Sequence, residues 1–146
     1  MGLYYQSQDT FAIIGSKSGT TLTSVALTAS YDVANKTNIF ETGGYSKLNL
    51  DILYTMGATE TSNSIEIRVQ GSPDGTNMYR IPNEVVSAGT STLTAREFTF
   101  VGTDAAAATI SIGLDVFYKF VEVSVKETGK ATNFGTVYVE ATLSGK

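Results

Sequence analysis

Fourteen carboxylates and eight tyrosines are the side chains of this 146-residue chain with the most chemical potential. Hydrolysis of a glycosidic bond needs two carboxyl groups at a defined separation across the sugar. Glu41, Asp51, Glu66, Asp74, Glu97, Asp115, Glu122 and Glu140 could supply them. Most of these alternate with apolar residues, as solvated sheet positions do, and their spacing singles out no pair. The sequence contains no His, no Cys and no Trp. Without His there is no imidazole base, no Ser–His or Cys–His pair and no His-ligated metal. Without Cys there is no thiol nucleophile, no thiolate zinc site and no disulfide framework. The composition therefore points away from an enzyme. No catalytic residue, metal or cofactor is assigned from it.

The sharpest local motif runs Ile67-Arg-Val-Gln-Gly-Ser-Pro-Asp-Gly-Thr-Asn-Met-Tyr-Arg-Ile81. Pro73 presets φ for the first central position of a turn, Asp74 suits the next, and Gly75 supplies a left-handed φ. Pro73, Asp74 and Gly75 thus read as a structural turn joining strand 65–71 to strand 77–82. Asp74, Thr76 and Asn77 also offer oxygens to calcium, but that ion takes six to eight ligands and one carboxylate is a poor start. Tyr4, Tyr5, Tyr31, Tyr45, Tyr54, Tyr79, Tyr118 and Tyr138 could form a sugar-stacking platform if several shared one face. Spacing along the chain does not say whether they do.

Ten cations against fourteen acids leave a formal charge of −4, and the seven Lys and three Arg are scattered. Affinity for a phosphate backbone or an anionic membrane needs clustered cations, so neither nucleic acid nor membrane is an expected partner. No apolar run approaches the ~20 residues of a spanning helix. The N-terminal Met1-Gly-Leu-Tyr-Tyr-Gln-Ser-Gln-Asp lacks the basic and apolar regions of a secretory signal. Gln6 stands where a myristoylation motif needs Ser or Thr. Synthesis in a cytoplasm is expected, and a Cys-free chain suits either redox compartment.

The elements that must position these residues are strands. Ser and Thr together number 35, counted along the sequence. Thr favours a pleated surface, whereas Ser favours turns. Period-two alternation is clear for Leu48, Leu50, Ile52 and Tyr54, for Ile65, Ile67 and Val69, for Val121, Val123 and Val125, and for Val137, Val139 and Ala141. Phe11–Ile14, Leu22–Leu27, Asn38–Thr42, Met78–Ile81, Phe98–Val101 and Ile110–Ile112 give shorter signals. Asp104–Ala108 is too short for more than a loop or one helical turn. About nine or ten short strands separated by turns predict an all-β, antiparallel β-sandwich, with a jelly roll as one fitting topology. Residues 1–14 read as an N-terminal arm and first strand, and 15–146 as a single sandwich domain. Leu3, Tyr4 and Tyr5 could cover an exposed sheet edge in their own subunit or a neighbour's. Val85, Val86 and Ala88 lie in a connection over 83–93 that either tucks over the sandwich end or meets another subunit. Arg68 with Glu66, and Arg96 with Glu97, are expected to pair across a sheet.

The Ser-Pro-Asp-Gly-Thr-Asn-x-Tyr hairpin resembles one in small β-sandwich virion proteins of tailed bacteriophages. Those proteins often carry a late strand like Phe117-Tyr-Lys-Phe-Val-Glu-Val-Ser-Val-Lys-Glu-Thr-Gly129, then a closing strand like 135–144. The resemblance spans roughly residues 45–144 as a pattern, with Met78 where an aromatic, often Trp, is common. It implies a non-enzymatic capsid decoration (auxiliary head) protein located on the virion. Its partners would be the major capsid protein and further copies of itself, usually as homotrimers. On that reading the expected contact residues are Leu3, Tyr4, Tyr5, Phe11, Val85 and Val86. The alternatives are a carbohydrate-binding or host-adsorption module, with glycan as partner, and a tail or neck component of the same virion.

Overall fold

A computed structural model describes residues 8–31, 37–80, 82–95, 97–101, 107–129 and 132–145. These form fourteen strands and no helix. They are β1 (Gln8–Ile14), β2 (Ser16–Ser18), β3 (Thr21–Thr23), β4 (Val25–Ala26), β5 (Thr37–Glu41), β6 (Lys47–Thr55) and β7 (Ser64–Ser72). β8 (Tyr79–Arg80), β9 (Pro82–Ser87), β10 (Thr90–Ala95), β11 (Glu97–Val101), β12 (Ala107–Asp115), β13 (Phe120–Thr128) and β14 (Thr136–Ser144) follow. The count exceeds the nine or ten expected because β2, β9 and β10 carry no apolar alternation to announce them and the Leu22–Leu27 signal divides into β3 and β4.

Eight strands build the sandwich. One sheet has the order β1-β14-β6-β12 and the other β11-β7-β13-β5, all antiparallel. The outer pairs are β1 with β14, β5 with β13, β6 with β12 and β7 with β11. First therefore pairs with last, second with next to last, and so inward. This is one long antiparallel hairpin rolled on itself, the double Greek-key wrap of a jelly roll.

The core follows from the alternation. Leu48, Leu50, Ile52 and Tyr54 of β6 face Ile65, Ile67 and Val69 of β7, Val121, Val123 and Val125 of β13, and Val137, Val139, Ala141 and Leu143 of β14, all buried. A fully buried aliphatic side chain of this kind contributes about 1.5–3 kcal/mol. Phe11 and Phe40 close one side between the sheets, edge to face, with ring centroids 5.3 Å apart.

Both sheets carry a hairpin thrown out from one edge. In the first, Gly15 (φ +82°) turns the chain out of β1, β2 and β3 form a hairpin, and β4 returns to β14 below β1. A Cβ on Gly15 would stand 2.4 Å from the Thr23 carbonyl oxygen, so no other residue fits without movement. In the second, β8 pairs with the end of β7, β9 and β10 form a hairpin, and β11 resumes pairing with β7.

Candidate functional site

Three connections meet at the end of the sandwich where β7 finishes and β13 begins: 42–46, 72–78 and 116–119. The 72–78 turn builds as its sequence predicts, with Gly75 at φ +77°. Its organiser is Asp74. The carboxylate accepts the backbone N–H groups of Thr76 (2.8 Å) and Asn77 (2.9 Å), the Asn77 side-chain amide (2.8 Å) and the Ser72 hydroxyl (2.9 Å). These donors favour the ionised form, the Asn77 and Thr76 amides most strongly, and hold its carboxyl well below the usual range. Both Asp74 carboxylate oxygens are thus engaged inside the turn. The Phe120 ring lies 3.4 Å from the Cβ position of Gly75, so the turn folds down onto it.

Aromatic rings crowd this end. Gly71 leaves a gap that the Tyr118 ring fills, and a Cβ at Gly71 would stand 2.1 Å from a Tyr118 ring carbon. Tyr79 pairs with Gly71 on the other side and is 53% exposed. The buried Thr42 hydroxyl donates to the carbonyls of Tyr118 (3.0 Å) and Lys119 (3.2 Å), locking the 42–46 turn to the 116–119 loop. Between them lies a depression of about 330 Å³ lined by Tyr45, Val116, Phe117, Tyr118, Lys119, Ser46 and their neighbours. Phe117 points away from the core with 87% of its surface exposed. Folding thus brings Tyr45 and Tyr79 to the end where Phe117, Tyr118 and Phe120 cluster in the sequence, which the spacing of those two tyrosines does not reveal.

Beside this end stands the β9–β10 hairpin. It springs from the β7 edge between the positions of Gln70, which pairs with Arg80, and Arg68, which pairs with Glu97. Its tight turn has Ala88 (φ +50°) and Gly89 (φ +77°) between the paired Ser87 and Thr90, the left-handed two-residue geometry that suits strand twist. It forms a sheet of its own. Residues 86–92 are all exposed, and Val86 is 67% exposed. The tucked-loop expectation for 83–93 is corrected, since this segment is a separate hairpin. Val85 lies within β9, opposite Thr92.

The remaining expected contact residues divide differently. Leu3, Tyr4 and Tyr5 lie outside the described residues. Phe11 is half-buried, and its packing partner within the chain is Phe40. The expected ion pairs are also rearranged. Glu66 pairs with Lys126 (2.9 Å), and the Arg68 guanidinium lies 4.3 Å from the centre of the Tyr31 ring. These partners come from other strands and a loop that local sequence does not bring together. Arg96 lies outside the described residues.

Two carboxylates missed in the sequence hold the opposite end. Glu127 is fully buried and accepts the Tyr54 hydroxyl, the Asn63 amide (2.8 Å) and the Gly135 N–H (2.7 Å). Burial and this carboxylate push the Tyr54 hydroxyl well above the usual tyrosine value. Glu60 accepts the N–H groups of Thr132 and Asn133, both at 2.6 Å. A signal for Glu127 was available: it continues the inward series Val121, Val123, Val125.

On the outer face of the first sheet, Asp51 and Glu140 stand opposite each other, a carboxylate pair that spacing did not single out. Asp51 accepts the Asn49 amide (3.0 Å), and Glu140 accepts the Tyr138 hydroxyl (2.7 Å) and the Lys17 ammonium (3.3 Å). Burial and that bond raise the Tyr138 hydroxyl to about 12, and the same bond, helped by Lys17, lowers Glu140. The group clasps the β2–β3 hairpin to the sheet. Among the described residues no three carboxylates gather where they could hold a metal ion. No protein-family model matches the chain, and neither does any curated protein sequence.

Proposed function

We propose that this chain is a non-enzymatic structural protein of a tailed-phage virion, of the capsid decoration type, that docks on the outer surface of the major capsid protein shell. The observation that carries this reading is the end bearing exposed Phe117 and Tyr79, with the β9–β10 hairpin beside it. Exposed rings on a rigid scaffold suit protein docking, because they bury large area with little entropy lost. An isolated two-stranded hairpin is marginal in water, and contact with a partner would stabilise it. Only 16% of the residues are charged, so contact with another surface desolvates few ions. Jelly rolls recur in viral capsid proteins and lectins, an analogy of fold alone.

The test is to add the purified protein to capsids that lack it and locate it by electron microscopy. Density on the outer shell is expected, with docking weakened when residues 82–95 are replaced by a short turn. Density confined to tail or neck, or no binding, would overturn the reading.

The glycan alternative is favoured by one observation, the depression where Tyr45, Phe117 and Tyr118 stand beside Lys119 and Ser46. Sugar binding on a glycan array, abolished by Tyr45→Ala and Phe117→Ala, would support it in place of capsid docking.

A further inference from the structure

The edges of the two sheets are not equally protected. Long, flat, uncharged edge strands invite pairing, and proteins blunt them with bulges, charges, shortness or cover. β1 is kinked by a register shift between Ala12 and Ile14 and carries Asp9. β5 and β11 are five residues each. β12 is neither bulged nor short and, among the described residues, has no cover. It is nine residues long, pairs with β6 without a register shift from Ala107 to Asp115, and ends the sheet order. Its sequence, Ala-Ala-Thr-Ile-Ser-Ile-Gly-Leu-Asp, holds one charge, at its last residue, and that carboxylate is engaged by Lys47. Among the described residues, no strand lies along its other side.

We propose that β12 is the strand through which two copies of this chain pair, antiparallel and edge to edge, about a two-fold axis at Ser111. The occupant is set by self-complementarity. Centred on Ser111, Ile110 of one copy falls opposite Ile112 of the other, and Thr109 falls opposite Gly113. Ile112 is buried and Ile110 half-buried on the core side, whereas Thr109, Ser111 and Gly113 are exposed on the outer face. Apolar positions therefore meet apolar ones, and small polar positions meet small polar ones. Asp115 falls opposite Ala107, so no like charges oppose each other. The register continues each core across the seam and satisfies the free backbone groups of both edges. A two-fold contact of this kind closes on itself, so β12 yields a dimer and not a ring. The inference does not rest on the virion reading: it departs from the homotrimers which that resemblance implies, and either can fail alone.

Sedimentation velocity across a concentration series tests it. The unaltered protein is expected to reach a dimer. A monomer at every concentration, or a trimer, would overturn the proposal. Ser111→Lys places two ammonium groups opposite each other at the axis and should weaken dimerisation roughly fivefold or more. Ser111 is exposed, and among the described residues its hydroxyl bonds the Asn49 side chain alone, so the variant should keep the fold. A dimer of unchanged strength in a folded Ser111→Lys protein would also overturn the proposal. Hydrogen exchange needs no variant: amides over 109–114 should slow as protein concentration rises. If their exchange is independent of concentration, the edge is not the interface.

Discussion

At the scale of single residues, two carboxylates do opposite structural work. Glu127 is buried, and three donors among the described residues compensate its desolvation. Removing one donor leaves the carboxylate short of a bond it cannot replace from water. Tyr54→Phe should therefore cost about 1.5–3 kcal/mol, the range for hydrogen bonds to charged groups. Denaturant unfolding checks this, and an unchanged midpoint would refute it. Asp74 is instead exposed, and its bonds act on the turn alone. Its folded-state value is depressed, so its contribution is complete above the unfolded carboxylate value of about 3.9 and fades as pH falls below it. The thermal midpoint of the unaltered protein should exceed that of Asp74→Asn at neutral pH, and the gap should close in acid. A gap that persists unchanged to about pH 2, below the reference value, would sink this account. The turn chemistry of Asp74 was legible in the sequence because its partners lie within three residues. The Glu127 site was legible only in part, since its alternation is local but Tyr54 and Asn63 are 73 and 64 positions away.

At the scale of elements, β7 shows how one glycine shapes a surface. Gly71 lies where Tyr79 pairs and where the Tyr118 ring fills the missing side chain's place. Gly71→Ala should push Tyr118 out of its seat and cost about 1–3 kcal/mol, the usual range for overpacking. Equilibrium unfolding measures that loss, and an unaltered stability would show that the ring moves aside freely. The longest strands were the most legible, because β6, β7, β13 and β14 alternate cleanly between core and solvent. The hairpins were not. β2–β3 and β9–β10 are exposed in nearly all their described side chains, so neither face carries an apolar period. The apolar Val86 could be noticed in the sequence, but its role as part of a free-standing hairpin could not.

At the scale of the whole molecule, the rolled topology separates two ends with different character. One is tied by buried carboxylates that hold Thr132, Asn133 and Gly135 against the 56–63 connection and the end of β13. The other presents aromatic rings, with the separate hairpin beside them. That polarity orients the proposed docking: the polar knot faces away while the aromatic end meets the shell. The β12 edge lies along a third surface, so the proposed capsid docking and the proposed pairing of copies would use different parts of the molecule. Microscopy of loaded capsids and the concentration dependence of the free protein therefore test these two surfaces separately.

The sequence by itself determined that this chain is a sheet protein, because period-two alternation is a property of neighbours along one strand. It also determined the Pro73-Asp74-Gly75 turn, whose hydrogen bonds close within a few residues, and it withheld the residue types that thiol and imidazole chemistry require. The tertiary structure alone decided which strands pair, which aromatics share an end, which carboxylates are buried and which strands form the sheet edges. Those outcomes depend on contacts between residues tens of positions apart, such as Glu127 with Tyr54 and Gly71 with Tyr118. Their energy is realised only when the rolled hairpin closes and water leaves the space between the two sheets.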